Sequence, residues 1–394
     1  MSPQPFFELR GTPINVLQMV RALCGAGYEV HLATYPIGDP VRVEGLVHHR
    51  SLSVRWMNQV SIGFSLRKVV LDALLALRVW RLLLTRRFDV VHAVEESIFF
   101  TLPLARLRRM PVIYDLDSSL SDQLASSGVL RARPLLALAR SLEATALRSS
   151  QLAITVCSAL TERVRESASE LPVVQIEDVP LAESLRTPNP EVERELLARF
   201  GPGPLAVYTG NLASYQGVDL LLDALPSLAE RIPGARILIV GGTAREVAAL
   251  RERLATHPHG AMVTLAGAQP PELLPELMAI ATVLVSPRRE GINTPLKLYT
   301  YMHSGVPIVA TDIPAHTQLL DDRTALLCAP TAEALADAIA RVMARPSAFA
   351  DRALRARDLV RRSFSPEEFR RKLLAGYDAL LAGEHGAERG VAAR

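Results

Sequence analysis

Val283 to Asp312 reads VLVSPRREGINTPLKLYTYMHSGVPIVATD, and this stretch decides the fold. Val283-Leu284-Val285 is a short apolar run bounded by Ser286-Pro287, the pattern of a buried strand. An irregular loop with Arg288, Arg289, Glu290 and Gly291 follows. Thr294 and Pro295 predict a helix start, with Thr as N-cap and Pro at the first helical position, where its missing N–H costs nothing. Gly305 and Pro307 form the matching stop, and Ile308-Val309-Ala310 is a second buried strand. The unit is strand–loop–helix–strand. Its loop carries two arginines to the positive end of a helix with Lys297 in its first turn. Free backbone N–H groups, helix dipole and three cations then converge, which suits a phosphate or diphosphate. A plain crossover with solvated basic side chains fits the same letters.

Outward from there, the second half alternates strands and helices. Ala206 to Thr209 is a strand feeding Gly210-Asn211-Leu212-Ala213-Ser214-Tyr215-Gln216-Gly217, then a helix through Leu228. Ile237 to Val240 ends at Gly241-Gly242, where a nucleotide base can lie against backbone, and Val263 to Ala266 is the next strand. This alternation predicts a parallel sheet. His316 and Gln318, just after the strand ending at Asp312, are expected to face the anion. Helices are predicted over 333–344, 349–362 and 366–381. The Pro-rich run from Pro180 to Pro190, ending near Gly201-Pro202-Gly203-Pro204, marks the domain boundary.

The first half starts unusually. Gly11-Thr12-Pro13 reads as a strand-to-helix turn and Ile14 to Gly25 as its helix. Before them stand Met1 to Leu9, rich in Pro and polar residues. Most of a first strand is therefore expected to be missing or truncated, leaving a vacancy in the sheet. A regular parallel strand within residues 1–8 would refute this. Glu29 to Tyr35 is a strand, 36–57 is β-rich and loop-like, and a long helix covers about 66–85. Arg67, Arg78 and Arg81 share one face of that helix. With Arg86, Arg87, Arg106, Arg108 and Arg109 nearby, this face suits anionic headgroups, or simply water. Asp89 to Ala93 is a strand carrying His92, followed by Glu95-Glu96. Val112 to Asp115 is another, followed by Asp117. Ligands of open parallel sheets sit at the carboxyl ends of strands. His92, Glu95, Glu96, Asp115 and Asp117 thus come from two strand ends that can converge. Structural readings, His92 as a satisfied core histidine and Asp117 as a helix cap, stand beside this one.

At 394 residues the chain is long enough for two domains, each with its own core. A net charge of +3 and 5% aromatic residues argue against nucleic acid as a partner. Cys24, Cys157 and Cys328 are odd in number and set in apolar context, so buried hydrophobes in a reducing cytosol are expected. The nine histidines show no metal-ligand spacing, and no structural metal is expected. Met1 to Gly11 lacks the apolar core of a signal peptide. The longest apolar run, Val69 to Leu84, is broken by Asp72, Arg78 and Arg81, so no membrane span is predicted.

With these residues in view, the chain resembles the family-4 retaining glycosyltransferases of the GT-B fold. Glu290 takes the first place of that family's Glu-x7-Glu motif, and Ser304-Gly305-Val306-Pro307 matches the end of its helix. Thr300 falls where the second Glu, which grips the nucleotide ribose, would stand. Asn211 and Gln216 replace an Arg and a Lys that hold the donor diphosphate, and Gly11 matches a glycine loop approaching it from the first domain. The resemblance implies an α/β fold of two Rossmann-like parallel-sheet domains facing a cleft. They would span 1–184 and 185–365, with helix 366–382 packing back on the first.

It further implies transfer of a sugar, with retained configuration, from a nucleotide-diphosphate donor to an acceptor hydroxyl. The acceptor class would be lipid-linked or polysaccharide, made at the inner face of a membrane. Gly210, Asn211, Gln216, Gly241, Arg288, Arg289, Glu290, Thr294, Lys297 and Thr300 would hold the donor. Glu95, Glu96, His92 and Asp115 would serve sugar and acceptor. Fixed cations would take a metal's place. The substituted positions leave two rivals: a catalytically impaired partner or scaffold, and a nucleotide-sugar epimerase. A nicotinamide dehydrogenase is disfavoured, since no clean Gly-x-Gly-x-x-Gly follows a strand.

Overall fold

The computed structural model describes residues 1–8, 11–53, 66–119, 133–201 and 203–392. The chain divides into two compact units, Met1–Glu177 with Glu367–Arg394, and Asp178–Pro366. Unit 1 contains α1 (Gly11–Cys24), β1 (Val30–Thr34), β2 (Leu46–Arg50), α2 (Leu66–Thr85), β3 (Val91–Val94) and α3 (Ser97–Leu107). It continues through β4 (Val112–Leu116), α4 (Arg133–Arg148), β5 (Leu152–Thr155), α5 (Ser158–Ser167) and β6 (Val173–Gln175). Unit 2 begins with α6 (Pro190–Phe200), β7 (Leu205–Thr209), α7 (Val218–Asp223), α8 (Leu225–Arg231), β8 (Arg236–Val240) and α9 (Ala244–Thr256). β9 (Val263–Gly267), α10 (Leu274–Ala279), β10 (Val283–Ser286), α11 (Leu296–Ser304), β11 (Ile308–Thr311) and α12 (Pro314–Thr317) follow. β12 (Leu326–Cys328), α13 (Ala332–Ala344) and α14 (Ala350–Ser363) complete it, and α15 (Pro366–Ala392) returns to unit 1.

Every described strand pairing is parallel. Unit 2 has one six-stranded sheet in the order β12-β11-β10-β7-β8-β9. Its central strands are buried on both faces, as helix-covered parallel strands must be. One face packs Val285, Ile239 and Leu221 against Leu225 and Ile339; the other packs Leu238 and Leu284 against Leu298, Tyr301 and Val360. The order reverses between β7 and β10, and the loops leaving their carboxyl ends are the natural ligand site of such a sheet.

Unit 1 has a four-stranded sheet, β3-β4-β5-β6, and a separate pair, β1-β2. Residues 1–8 form no regular strand. The expected vacancy is nonetheless filled, because irregular backbone bridges the two sheets. Ser2 N–H donates to Ala33 O at 3.0 Å and Val94 N–H to Met1 O at 3.1 Å. Backbone groups at a sheet edge need partners, and here a non-strand segment supplies them.

The closing helix α15 packs on unit 1: Gly376 lies against Leu152 and Val174, and Lys372 pairs with Glu177 at 2.6 Å. Three local expectations are corrected. The helix after the first turn begins at Gly11, so Pro13 lies inside its first turn rather than before it. The β-rich reading of 36–57 reduces to β2 among the described residues, with 54–57 outside them, as is Pro202 of the boundary run. Of the three free cysteines, Cys157 is buried, whereas Cys24 and Cys328 are half-buried.

Candidate functional site

In unit 2 the reversal point brings together the loop after β7 and the loop after β10. Both depend on glycine. Gly217 has φ +75°, and a Cβ there would stand 1.9 Å from Pro287 O, so the Arg288 loop lies directly on it. Gly241 has φ +113°, and a Cβ there would stand 2.1 Å from Gly210 O. The turns after β7 and β8 therefore touch backbone to backbone, with Gly210 N–H donating to Val240 O at 2.9 Å.

Two cations converge on this spot. Lys297 lies in the first turn of α11, its Nζ 3.9 Å from the centre of the Tyr208 ring and beside Gly210. That Nζ is sealed from solvent and has no hydrogen-bond partner among the described residues. Burial, then the neighbouring Arg288, holds its proton affinity well below the ordinary lysine value. The Arg288 guanidinium lies 5.2 Å from the Tyr215 ring centre, and its Nε donates to Gln216 Oε1 at 3.3 Å. Its Nη1 donates to Asn293 O at 3.1 Å.

A second layer fixes the loop. His316 is fully buried, not turned toward an anion. Its Nδ1 lies 2.7 Å from Thr311 O, so Nδ1 carries the proton, and Nε2 accepts from Ser286 Oγ at 3.0 Å. Burial pushes its pKa down to about 4, so it stays neutral. Thr311 Oγ1 in turn donates to the Arg288 carbonyl, which anchors that residue's backbone to β11. Gln318 likewise serves the loop, its Nε2 donating to Ile292 O at 2.5 Å.

Several expected donor residues are placed elsewhere. Arg289 turns away and pairs with Asp223 at 2.7 Å, both about half exposed, because successive residues of an extended loop point to opposite sides. Thr294 is not the helix cap. Pro295 takes that place with extended ψ of 127° and no side-chain cap bond, and residues before proline avoid helical backbone. Thr300 is buried, its hydroxyl accepting from Leu181 N–H at 3.3 Å. Asn211 folds its side chain onto its own loop, accepting from Ala213 N–H at 3.2 Å and donating to Tyr215 Oη at 3.3 Å. Gln216 holds Arg288 rather than standing free. Glu290 is exposed. Gly11 opens α1 with nothing within 4 Å of a built Cβ, so no close approach requires a glycine there. Tyr208, Tyr215 and Gly217 belong to the site without having been assigned from sequence. For Tyr208 the reason is that an aromatic in a strand ordinarily signals core.

Unit 1 gathers acidic groups at the ends of β3 and β4. Asp115 Oδ2 accepts from His92 Nε2 at 3.0 Å, and His92 Nδ1 accepts from Tyr377 Oη at 2.7 Å. Burial and Asp115 push the Tyr377 phenol up, which keeps it the donor. The relay ties α15 to both strands. Glu95 sits at φ 50°, uncommon for a residue with a side chain. Its carboxylate accepts from Ser118 Oγ at 2.6 Å and Gln4 Nε2 at 2.8 Å. Glu96 pairs with Lys68 at 2.5 Å, while Tyr35 Oη donates to Asp72 Oδ1 at 2.5 Å. Lys68 and Asp72 were not singled out from sequence as site residues, although a lone carboxylate within an apolar helix was the available signal.

Burial, then Glu95, pushes Glu96 up to about 7. Between pH about 4.5 and 7 the folded state therefore binds more protons than the unfolded state. Stability should fall as pH rises through that window. Denaturant midpoints at pH 5 and 7.5 should differ, and Glu96→Gln should flatten the slope; an unchanged slope would remove Glu96 as its source.

The two parallel α/β units, the second with its strand reversal between β7 and β10, define a GT-B protein. The family model "Glycosyl transferase 4-like domain" matches residues 10–182, and "Glycosyl transferases group 1" matches residues 203–345. The chain therefore belongs to the family-4-like glycosyltransferases of the GT-B fold. Sucrose-phosphate synthase from Thermosynechococcus elongatus superposes with a TM-score of 0.77 at 19% identity, over 95% of this chain and 94% of that one. Anabaena HepE in complex with UDP-glucose gives 0.70 at 15% identity, over 96% and 98%. A GDP-mannose-dependent alpha-(1-6)-phosphatidylinositol monomannoside mannosyltransferase of Mycolicibacterium smegmatis is 29% identical over 171 residues, 40% of this chain and 44% of that protein. The matched segments span half or less of the curated relatives' length.

Proposed function

We propose that the protein is a retaining glycosyltransferase that moves a sugar from a nucleotide-diphosphate donor to an acceptor hydroxyl in cell-envelope glycolipid or polysaccharide synthesis. The observation that carries this reading is the Lys297 ammonium, sealed in with no partner beside Arg288 and the Gly210 turn. A buried cation without a counter-charge is costly unless an anion completes it. In transfer, negative charge grows on the leaving diphosphate as the sugar departs. Lys297 and Arg288 are preorganised to meet that charge, which is what lowers a barrier. They supply the positive charge a metal would otherwise bring, and the reading needs none. Retention follows the enzymes that the chain resembles. Glu95 and Glu96 just after β3, Asp115 near the end of β4, and His92 within β3 are proposed for the sugar and acceptor side.

The test is a thermal-shift titration with UDP, GDP, ADP and TDP in EDTA. A nucleotide at 100 times its dissociation constant should stabilise by about 2.7 kcal/mol. A shift followed by sugar transfer supports the enzyme. A shift without transfer, for any donor sugar, supports the impaired reading. Silence toward all four sinks the donor site.

Peripheral attachment to an anionic membrane is part of the same reading. Among the described residues no helix is long and apolar enough to cross a membrane. Instead α2 exposes Val70, Leu77, Trp80 and Leu84 with Arg67 and Arg81, an apolar stripe edged by cations. The Trp80 indole is fixed by its N–H, which donates to Phe100 O at 2.6 Å. Such a face suits an interfacial helix. Sedimentation with phosphatidylglycerol vesicles should be reversed by salt and weakened by Trp80→Ser; equal sedimentation with neutral vesicles would contradict it.

A further inference from the structure

Beside that stripe, unit 1 has a recess of about 360 Å³ between β2 and the last turns of α2. His49, Arg78, Arg81, Leu82, Thr85 and Arg86 line it. Three arginines line it together, and among the described residues none of them forms an ion pair. Arg78 Nε is sealed from solvent without an acceptor, while its Nη2 lies 3.4 Å from His49 Nδ1. Like charges brought close together repel, and an unanswered buried N–H costs free energy.

The neighbouring histidines fix how this charge is presented. His31 Nε2 lies 2.7 Å from Glu29 Oε1, and His31 Nδ1 lies 2.9 Å from His49 Nε2. The two rings stack at 5.1 Å. With Glu29 as the acceptor at one end, each imidazole passes a hydrogen bond along: Nε2–H of His31 to Glu29, and Nε2–H of His49 to His31. His49 Nδ1 is then a lone pair facing Arg78. Burial, followed by His31, Arg78 and Arg86, holds the His49 pKa below its ordinary value. Glu29 is bonded to His31 and reaches Arg86 only through space.

Location separates this recess from substrate chemistry. Thr85 and Arg86 lead into the start of β3, the amino end of a parallel strand, whereas ligands of such sheets gather at the carboxyl ends. We propose that the recess is an anion site for a phosphate group, held by Arg78, Arg81 and Arg86, and separate from the diphosphate pocket of unit 2. Planar guanidinium forks suit tetrahedral oxyanions. A soluble phosphate ester and a lipid headgroup both present this group, and the vesicle arm of the test tells them apart.

The experiment follows the ring nitrogens of His49 by NMR in the full chain, with His49→Gln locating the signal. Millimolar inorganic phosphate should raise the His49 titration midpoint by half a unit or more, while chloride at matched ionic strength should not. Arg78→Gln/Arg86→Gln should weaken the phosphate response at least tenfold and leave the nucleotide thermal shift unchanged. Arg81→Gln, at an exposed position, serves where that pair fails to fold. Vesicles containing phosphatidic acid that reproduce the His49 shift identify a headgroup as the source; a response to soluble phosphate alone identifies an ester. No His49 response to either, or an equal response in the arginine variants, overturns the site. The unit 2 reading is scored separately by nucleotide binding in wild-type chain.

Discussion

Replacing Lys297 by methionine should weaken nucleoside diphosphate binding on the order of 100-fold and stabilise the unliganded protein. The two effects share one cause. Lys297 Nζ is sealed away with no hydrogen-bond acceptor, and its nearest charged neighbour, Arg288, is of like sign. Contact with the Tyr208 ring at 3.9 Å returns about 1–2 kcal/mol, less than a buried ammonium loses on leaving water. Methionine fills similar volume without charge, so the empty site gains about 1–3 kcal/mol. A lysine kept for packing would behave oppositely: its loss would destabilise the fold and spare nucleotide affinity. Calorimetric melting and nucleotide titration of one variant separate the two.

Gly217→Ala should be nearly as damaging, through geometry alone. Its backbone is left-handed at φ +75°, and the added carbon would stand 1.9 Å from Pro287 O. Neither relaxes cheaply, because Pro287 follows β10 in the middle of the sheet and Arg288 is tied to Thr311 behind it. We expect about 3 kcal/mol of lost stability, or a displaced loop that carries Arg288 off Gln216. In the second case the variant melts near the wild-type temperature yet no longer responds to nucleotide. Gly234→Ala is the matched control, at φ +80° with nothing within 4 Å. Equal penalties at the two positions would show that backbone strain, not the contact with Pro287, is at work.

The alternation of apolar runs and helix signals was enough to read two parallel α/β units, because strands buried on both faces write themselves as uninterrupted Val, Ile and Leu. Lys297 and Arg288 were legible for the same reason: loop, helix start and cations lie within ten letters. Direction was not legible. Arg288 and Arg289 are neighbours of one type, yet one faces Gln216 and the other Asp223, since side-chain alternation in an irregular loop leaves no trace in composition. Thr300 falls where the family's second Glu would stand, whereas its hydroxyl serves the Leu181 backbone, a contact across more than a hundred residues. The partners of His92 were hidden in the same way, with Tyr377 lying 285 residues downstream. Cap chemistry misled at Thr294, because Pro295 takes extended backbone and the helix starts one residue later, at Leu296.

That last tie sets an order of assembly. Unit 1 is discontinuous: its sheet is translated early, but Tyr377, Lys372 and Gly376 arrive after the whole of unit 2. Until they do, His92 lacks its phenol, and Leu152 and Val174 lack the helix backbone that covers them. On the ribosome, unit 2 is thus the first part able to complete its own core, although it is encoded second. Anyone wishing to study unit 1 alone would have to splice residues 366–382 directly behind Glu177, since cutting the gene there leaves a sheet without its last layer.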